Sequence, residues 1–370
     1  MPILEKIKIN LDKGRSYDIL IGYENLDRLG EYANSLQCGN EAFIITSPRV
    51  SSLYGKRVVK SLKSAGFKQV AMAKFPDGEK NKSLESYVRV IDQLYKFDRY
   101  QNKKLLIVNL GGGVVGDLGG FVAATYRRGM NYIQVPTTLL ALVDSGVGGK
   151  VGINWQDAKN MVGAFYQPRL VYVDMAVLKT LPKRELLSGM AEVIKYGVIE
   201  DPALFRLLER HSKDIISLKD RDIIRKVVST SYRIKAGIVE KDERDEKGIR
   251  IKLNFGHTLG HAIESATGYR RYKHGEAVAL GMVCAGEIAQ RLRIFDKGEL
   301  GRLERLISEV GLPIQIKGCD VGEVINSMRH DKKFIGGKNR FVLPTKIGNV
   351  RVIEGVEEGI IKKVIKGRMA

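Results

Sequence analysis

Cysteine and histidine are scarce in this chain of 370 residues, which contains three cysteines and five histidines. Cys38, Cys284 and Cys319 are widely spaced and form no Cys-x-x-Cys pair. This excludes a disulfide framework and a thiolate zinc site. We therefore expect a reduced, cytoplasmic protein whose three thiols lie in the core.

Long apolar runs are also absent. The longest near-apolar stretch, Ala277 to Gly286, is shorter than the roughly 20 residues that a helix needs to span a bilayer, so we expect a buried helix there. Met1 to Lys13 alternates apolar and charged residues and lacks the continuous apolar region of a secretory signal. The sequence predicts neither export nor a membrane partner.

Acidic residues are outnumbered, with 42 Asp and Glu against 62 Lys and Arg, a net charge of +20. The basic residues are spread along the whole chain and mixed with acidic ones. No basic run alternates with aromatic residues, as a nucleic-acid groove would require. We expect no nucleic-acid partner, and the charge then reflects an acidic small molecule or a strongly charged surface.

The first half alternates β-branched runs with amphipathic stretches, which is typical of a parallel sheet with crossover helices. Ser83 to Lys96 places Leu84, Val88, Ile91 and Leu94 at the spacing of one buried helix face. Residues 1–178 are therefore predicted to form a doubly wound α/β domain. The predicted strands are Ala42 to Thr46, Gln69 to Lys74, Lys104 to Leu110 and Asn131 to Val135.

Beyond about Leu178 the strand candidates almost disappear, and long stretches of helix-forming residues follow. Residues 179–370 are therefore predicted to form a mostly α-helical C-terminal domain. The predicted helices include Lys183 to Ile199, Ala203 to His211, Ile223 to Val239 and Gly275 to Arg291.

Two glycine clusters follow predicted strands. Gly111 to Asp117 reads Gly-Gly-Gly-Val-Val-Gly-Asp and leads from a buried strand into a helical pattern. Such glycines allow backbone N–H groups to approach a pyrophosphate at a helix N-terminus, although a structural tight turn has the same pattern. Asp144 to Lys150 forms the second cluster, and Lys150 could meet a phosphate or simply be a solvated surface lysine.

Three of the five histidines, His257, His261 and His274, fall within 18 residues. His257 and His261 are four residues apart and share one face if the segment is helical. Neutral imidazoles with a carboxylate suit zinc, and three protein ligands leave a position open for a substrate oxygen. Spacing alone does not choose the carboxylate among Glu192, Glu264 and Glu276.

Six ordered motifs resemble the dehydroquinate synthase family. They are Gly111 to Asp117, Val135-Pro136-Thr137-Thr138, Gly148-Gly149-Lys150, Ala191-Glu192-Val193-Ile194-Lys195, Asn254 to His261 and His274-Gly275-Glu276. The resemblance runs from Pro76-Asp77-Gly78-Glu79 to Asp331-Lys332-Lys333 and covers nearly the whole chain. Gly146 and Val151 depart from the family loop, where a serine and a threonine are common.

The resemblance implies a Rossmann-like NAD-binding domain, a helical metal- and substrate-binding domain, and a homodimer. It implies a lyase of the shikimate pathway of aromatic amino acid biosynthesis. The reaction converts 3-deoxy-D-arabino-heptulosonate 7-phosphate, a phosphorylated acidic sugar, into 3-dehydroquinate and phosphate. Transient oxidation by NAD, phosphate elimination, reduction and intramolecular aldol closure follow one another, with Zn²⁺ or Co²⁺ as the metal.

Carried over by position, the resemblance implies roles for individual residues. The metal would be held by Glu192, His257 and His274. NAD would be contacted by Asp77, Gly78, Glu79, Lys82, Gly113, Val114, Val115, Gly116, Asp117, Thr137, Thr138, Asp144, Lys150, Lys159, Val177, Leu178, Lys179 and Thr180. Substrate would be contacted by Lys150, Asn160, Lys195, Lys235, Arg250, Asn254, His261, Lys332 and Lys333, and by Arg128 of a neighbouring subunit. Catalysis would involve Asp144, Lys150, Lys195, Lys235, Arg250, Asn254 and His261.

Two other enzymes would carry similar motifs. Another sugar phosphate cyclase would share the metal site and NAD loops, but Asn254, His261 and the Lys332–Lys333 pair favour the dehydroquinate member. A metal-dependent polyol dehydrogenase would also combine a glycine-rich NAD domain with a helical metal domain. The dehydrogenase would accumulate NADH, whereas a cyclase releases phosphate without net change of the cofactor.

Overall fold

The computed structural model describes residues 3–12, 14–99, 104–156, 158–329 and 339–370. Lys332 and Lys333, expected to contact substrate, lie outside the described residues. The chain divides into two units. Unit 1 comprises Met1–Leu181 and Lys235–Glu243, and unit 2 comprises Pro182–Ile234 and Arg244–Ala370.

The strands of unit 1 are β1 (Ile3–Ile9), β2 (Tyr17–Gly22), β3 (Glu41–Thr46), β4 (Val70–Lys74), β5 (Leu105–Gly111), β6 (Tyr132–Pro136), β7 (Lys150–Trp155), β8 (Ala158–Phe165) and β9 (Leu170–Asp174). Seven of them form one sheet in the order β1-β2-β9-β6-β5-β3-β4. Every neighbouring pair is parallel except β1 with β2. β7 and β8 form a separate antiparallel hairpin.

The α-helices of unit 1 are α1 (Leu29–Ser35), α2 (Pro48–Val50), α3 (Lys56–Ser64), α4 (Leu84–Phe97) and α5 (Gly113–Thr125). The prediction of a doubly wound α/β fold is confirmed, and the four predicted strands end within one residue of β3, β4, β5 and β6. β4 follows β3 in the chain and lies on one side of it in the sheet, whereas the next strand, β5, lies on the other side of β3. The carboxyl ends of β3 and β5 thus flank a topological switch point, where open α/β sheets bind ligands.

The buried face of α4 differs from the predicted one. Leu84 and Val88 are 44% and 46% exposed, whereas Ser86, Val90 and Leu94 are buried. The helical period was correct, but the predicted phase was wrong for Leu84 and Val88. The phase is decided by tertiary contacts, because α4 packs against β4 and α5 through Val90 and Leu94.

Unit 2 is mostly helical, as predicted. Its helices are α6 (Lys183–Ile199), α7 (Pro202–Ile216), α8 (Arg221–Lys241), α9 (His257–Ala266), α10 (His274–Arg291), α11 (Lys297–Val310), α12 (Val321–Arg329) and α13 (Glu358–Arg368), and the part of α8 from Lys235 belongs to unit 1. One hairpin, β10 (Arg340–Lys346) with β11 (Asn349–Glu354), was not predicted. Ala277 to Gly286 is a buried part of α10, as expected. Among the described residues, no helix is both long and apolar enough to cross a membrane.

Three helices of unit 2 meet at the level of their backbones because glycines lie at the contacts. A Cβ on Gly281 of α10 would lie 1.9 Å from the carbonyl oxygen of Gly256, immediately before α9. A Cβ on Gly275 of α10 would lie 2.0 Å from the carbonyl oxygen of Ser188 on α6. These contacts bring the first turns of α9 and α10 close to the middle of α6.

Gly281→Ala is expected to destabilise the protein. The added methyl group meets a backbone carbonyl that no side-chain rotation can move, so α9 and α10 must separate, at a cost of about 3 kcal/mol or more. Urea denaturation followed by circular dichroism measures the effect. Gly367→Ala is the matched control, because a Cβ on this exposed residue of α13 meets nothing within 4 Å. Equal stability of the two variants would contradict the close backbone contact.

Candidate active site

Glu192, His257 and His274 come together in unit 2. Their potential ligand atoms all lie within 4.8 Å of one another. Glu192 lies near the middle of α6 and is fully buried, whereas His257 and His274 are the first residues of α9 and α10. Gly256 adopts φ +78°, a left-handed conformation that glycine tolerates, and turns the chain into α9 just before His257.

One carboxylate oxygen of Glu192 faces both imidazoles. Glu192 Oε1 lies 3.5 Å from His257 Nε2 and 3.6 Å from His274 Nε2. In a tetrahedral zinc site with ligand bonds of about 2.1 Å, neighbouring ligand atoms lie about 3.4 Å apart. The spacing and the chemistry of the three donors therefore fit a zinc-like cation.

The second nitrogen of each imidazole also has a partner. His257 Nδ1 lies 3.0 Å from the carbonyl oxygen of Phe255. His274 Nδ1 lies 3.4 Å from Glu264 Oε2. In the neutral form of each ring, an N–H donated from Nδ1 leaves the Nε2 lone pair on the Glu192 side, which is the tautomer that a metal ligand needs.

Two carboxylates, those of Glu192 and Glu264, lie in this cluster beside the Lys195 ammonium and the ionisable imidazole of His274. Lys195, one helical turn after Glu192 on α6, forms a buried ion pair with it. Burial lowers the pKa of His274, but the Glu192 and Glu264 carboxylates more than offset this effect and raise it to about 9. Before a metal binds, His274 is therefore protonated at neutral pH.

The structure separates the three carboxylates that the sequence left as alternatives. Glu276 is held by Arg184, with contacts of 2.6 and 2.7 Å, and it accepts a hydrogen bond from the Lys273 backbone. Glu264 lies behind His274, on the Nδ1 side. Only Glu192 of the three faces the Nε2 atoms of both His257 and His274.

The other residues of unit 2 that the sequence associated with substrate differ in how directly they contact this cluster. The half-buried His261 has its ring centroid 5.3 Å from that of His257 and 5.9 Å from that of His274. Lys195 contacts Glu192 directly. Arg250 and Asn254 begin and end a short 3₁₀ helix that packs against α6, and Arg250 is 4% exposed.

In unit 1, both glycine loops emerge from neighbouring parallel strands. Leu110 of β5 pairs with Val135 of β6, so the two loops start at the same edge of the sheet. A Cβ on Gly112 would lie 2.9 Å from Thr138, and one on Gly113 would lie 2.9 Å from Ser145. The loops therefore pack directly on each other, and a side chain at Gly112 or Gly113 would require Thr138 or Ser145 to shift.

The N-terminus of α5 fits an anion. It begins at Gly113, directly after β5, and no side chain caps its first turn. The N–H groups of such a turn and the positive end of the helix dipole favour a phosphate. Val115 is 2% exposed, so its backbone rather than its side chain could meet a ligand.

A polar cluster in unit 1 joins residues that the sequence assigned to different ligands. The Lys82 ammonium, on a residue that is 3% exposed, contacts both Asp117, expected to contact NAD, and Asn160, expected to contact substrate. Burial lowers the pKa of Lys82, but the Asp117 and Glu79 carboxylates outweigh this effect and raise it. Lys82 is therefore a fixed cation.

Asn154 of β7 connects this cluster and was missed by the sequence reasoning. Its side-chain amide donates to Glu79 Oε1 at 2.9 Å, its Oδ1 accepts from the Asn160 N–H at 2.9 Å, and its own N–H donates to the Lys82 carbonyl at 2.8 Å. An asparagine inside a strand carries no motif, so nothing in the sequence pointed to it.

A second ion pair lies in the later glycine loop. Asp144 contacts the ammonium of Lys235 on α8. Lys235 is 6% exposed. Lys150 is exposed at the start of β7, with its ammonium 5.9 Å from the centre of the Phe165 ring. The ion pair between Asp144 and Lys235 thus joins two of the residues that the resemblance placed in catalysis.

The remaining predicted contacts of unit 1 are spread over other loops. Thr137 is buried after β6, and the Thr138 hydroxyl accepts from the Ala141 N–H. Val177 and Leu178 are buried, Lys179 pairs with Glu24, and Thr180 contacts the Tyr54 hydroxyl. Other positions are Asp77 and Gly78 in the loop after β4, Val114 and Gly116 in α5, Lys159 in β8, and the exposed Arg128, which has φ +64°.

Family models match most of the chain. The model described as 3-dehydroquinate synthase N-terminal matches residues 72–188, and the model described as 3-dehydroquinate synthase C-terminal matches residues 189–334. A 3-dehydroquinate synthase of Desulforamulus reducens is 49% identical over 359 residues, covering 96% of this chain and 99% of that protein. A 3-dehydroquinate synthase of Nostoc punctiforme is 47% identical over 363 residues, covering 98% of this chain and 99% of that protein.

Solved structures of cyclases have the same fold. A 2-epi-5-epi-valiolone synthase from Streptomyces hygroscopicus, with NAD⁺ and Zn²⁺ bound, has a TM-score of 0.87 at 25% identity and covers 97% of this chain and 98% of its own. A 2-deoxy-scyllo-inosose synthase, complexed with carbaglucose-6-phosphate, NAD⁺ and Co²⁺, has a TM-score of 0.87 at 24% identity, with 99% and 100% covered. A more distant neighbour is glycerol dehydrogenase from Schizosaccharomyces pombe, which has a TM-score of 0.65 at 18% identity. This match covers 94% of this chain and 88% of the dehydrogenase.

Divalent metal binding to this cluster is expected to release a proton. Below the His274 pKa of about 9 the imidazole carries a proton that a metal must displace, so apparent affinity rises with pH up to that value. The slope should approach about tenfold per pH unit for one displaced proton. Calorimetric titration of metal-free protein with Zn²⁺, in buffers of different ionisation enthalpy, measures the release. Affinity that does not change between neutral pH and pH 9 would contradict the raised pKa.

Proposed function

Because this chain belongs to the 3-dehydroquinate synthase family, we propose that it binds NAD in unit 1 and a divalent metal through Glu192, His257 and His274 of unit 2. The chain is a lyase, and its reaction is the family's conversion of 3-deoxy-D-arabino-heptulosonate 7-phosphate into 3-dehydroquinate and phosphate. The observation that carries the proposal is the convergence of one buried carboxylate and two imidazoles from three helices.

The metal assignment is supported by the donor set. Two neutral imidazoles and one carboxylate are the ligands of many catalytic zinc sites, and Co²⁺ accepts the same donors. The two structural neighbours that carry NAD⁺ hold Zn²⁺ in one case and Co²⁺ in the other. We therefore propose Zn²⁺ or Co²⁺ as the resident metal.

The NAD assignment is supported by the loops at the carboxyl ends of β5 and β6. Gly113 to Asp117 would place backbone N–H groups on the pyrophosphate, and Thr137 and Thr138 would add hydroxyl groups. The same part of the proposal includes Asp77, Gly78, Glu79, Lys82, Asp144, Lys150, Lys159 and the segment from Val177 to Thr180. When bound, NAD accepts and returns a hydride, and the metal polarises the hydroxyl that is oxidised.

The substrate is acidic at both its carboxylate and its phosphate, and this chain offers cations to each. Lys195 is held in place by Glu192, and Lys235 is held by Asp144, so neither ammonium needs to be ordered when substrate binds. We propose Lys195, Lys235 and Arg250 for the carboxylate and hydroxyl groups. Lys150, Asn160, Asn254 and His261 would meet the phosphate, together with Lys332 and Lys333.

The elimination step separates a proton from one carbon and phosphate from its neighbour. Oxidation to a ketone acidifies the adjacent carbon, and the leaving phosphate itself can accept the proton. Fixed cations near the phosphate stabilise the negative charge that develops there. In this proposal the chain orients the substrate and holds charge, and it supplies no separate carboxylate base.

We also propose a homodimer in which Arg128 reaches the substrate of the partner subunit. Arg128 is exposed and has φ +64°, whereas its neighbour Arg127 pairs with the buried Asp98. A left-handed conformation at a non-glycine residue costs about 1–3 kcal/mol and persists only where the surroundings enforce it. Arg128 is therefore an exposed residue on a turn that the Arg127–Asp98 ion pair anchors.

The test is to incubate the protein with the heptulosonate 7-phosphate, NAD and Zn²⁺, and to follow inorganic phosphate together with NADH. We expect phosphate release without net NADH, because the hydride returns within one turnover. Accumulating NADH would indicate a polyol dehydrogenase instead. Phosphate release from glucose 6-phosphate, but not from the heptulosonate, would indicate another sugar phosphate cyclase.

Glu192→Gln is expected to lose both the metal and turnover. The loss should exceed the roughly 100-fold effect of removing an outer hydrogen-bond partner of a metal ligand. Metal content is measured by elemental analysis and turnover by phosphate release. Glu209→Gln on α7, which breaks an ion pair with Arg302 of α11, is the matched control and should retain both. An active, metal-free Glu192→Gln enzyme would refute the assignment.

A further inference from the structure

Glu264 is a buried carboxylate next to the metal ligands that has no role in the proposed ligand set. It lies on α9, seven residues after His257 and three after His261, and is 3% exposed. Its Oε2 atom lies 3.4 Å from His274 Nδ1. A carboxylate buried to this extent is costly unless it faces a hydrogen-bond donor or a cation, so its position beside the imidazole is favoured energetically.

His274 presents its two ring nitrogens to two different carboxylates. Nε2 lies 3.6 Å from Glu192 Oε1, and Nδ1 lies 3.4 Å from Glu264 Oε2. His257 differs, because its Nδ1 faces the neutral carbonyl group of Phe255 at 3.0 Å. Both imidazoles thus turn Nε2 towards Glu192, but their outer partners differ in charge.

We propose that Glu264 is a positioning residue that holds His274 as a metal ligand and strengthens its bond to the cation. The inference rests on the proposed metal site. A carboxylate on the far nitrogen fixes the tautomer and the ring orientation, and it makes the near nitrogen a better donor. Removal of such a partner typically lowers metal affinity about 10–100-fold.

The charges around the site give Glu264 a second role. The Lys195 ammonium pairs with Glu192 and offsets its negative charge. A divalent cation beside this pair would then lack a compensating carboxylate. Glu264 supplies that negative charge through the His274 ring, without occupying a ligand position.

A second group of residues around His274 could also hold a metal, and experiment can distinguish it from the proposed ligand set. His261, Glu264 and His274 also have potential ligand atoms within 4.8 Å of one another. A metal held by these three would use Glu264 as a direct ligand and would not need Glu192. Single substitutions at Glu264 and Glu192 therefore distinguish a positioning residue from a ligand.

The experiment measures Zn²⁺ and Co²⁺ affinity of Glu264→Gln by calorimetry, together with the visible absorption of the Co²⁺ form. Glutamine keeps the volume and a hydrogen-bond acceptor but removes the charge. We expect one metal per chain, affinity about 10–100-fold lower, and an absorption spectrum whose shape is unchanged.

Glu287→Gln is the matched control, because this carboxylate lies on the same helix as His274 but pairs with Arg291 and Arg368. It should leave metal affinity unchanged. Glu264→Asp keeps the charge at a greater distance and should bind metal more tightly than Glu264→Gln. This comparison remains informative if Glu264→Gln folds poorly, which the melting temperature of each metal-free variant reports.

Three outcomes would overturn the proposal. Affinity of Glu264→Gln equal to that of the unchanged protein would make Glu264 a structural residue only. Complete loss of metal in Glu264→Gln, with metal retained in Glu192→Gln, would make Glu264 a ligand. Weaker binding with an altered Co²⁺ spectrum would also place Glu264 on the metal. Retention of metal in both variants would instead refute the metal site itself, which separates the two failures.

Discussion

The structure of unit 2 depends on one carboxylate that is completely removed from water. Glu192 lies in the middle of α6 at 0% exposure, and a charge in that position is stable only when opposite charges or strong donors surround it. Lys195 comes from the same helix, but His257 and His274 come from two others. The need to compensate Glu192 therefore joins three helices around a site that has the donors for a divalent cation.

Close helix packing makes this meeting possible. Gly275 and Gly281 let the backbone of α10 touch α6 and the turn before α9, which ordinary side chains would prevent. Both histidines begin their helices, so their positions depend on the helix starts rather than on flexible loops. The outer contacts of Phe255 and Glu264 then select which nitrogen of each ring faces Glu192. Packing, tautomer and charge all favour the same arrangement.

Unit 1 has the features that the proposed binding of NAD would use. Adjacent parallel strands end in two glycine loops that pack on each other, and α5 starts at Gly113 without a side-chain cap. Lys82 and Lys235 are each held by a carboxylate, Asp117 and Asp144. Cations held in this way are oriented before a ligand arrives, which reduces the entropic cost of binding.

The sequence alone determined the fold class, the four strands β3 to β6, the main helices and the residue types of the site, because apolar periodicity, glycine clusters and crowded histidines are local signals. Spacing alone left Glu192, Glu264 and Glu276 open, and the tertiary structure shows that Glu192 is the one of these three that faces Nε2 of both His257 and His274. The tertiary structure also decided that α4 buries Val90 and Leu94, and it places Asn154 among Glu79, Lys82 and Asn160. It also supplied the strands β1, β2 and β9, which were not predicted. The reason is that each of these choices depends on contacts between residues far apart in the chain, which spacing along the sequence does not encode.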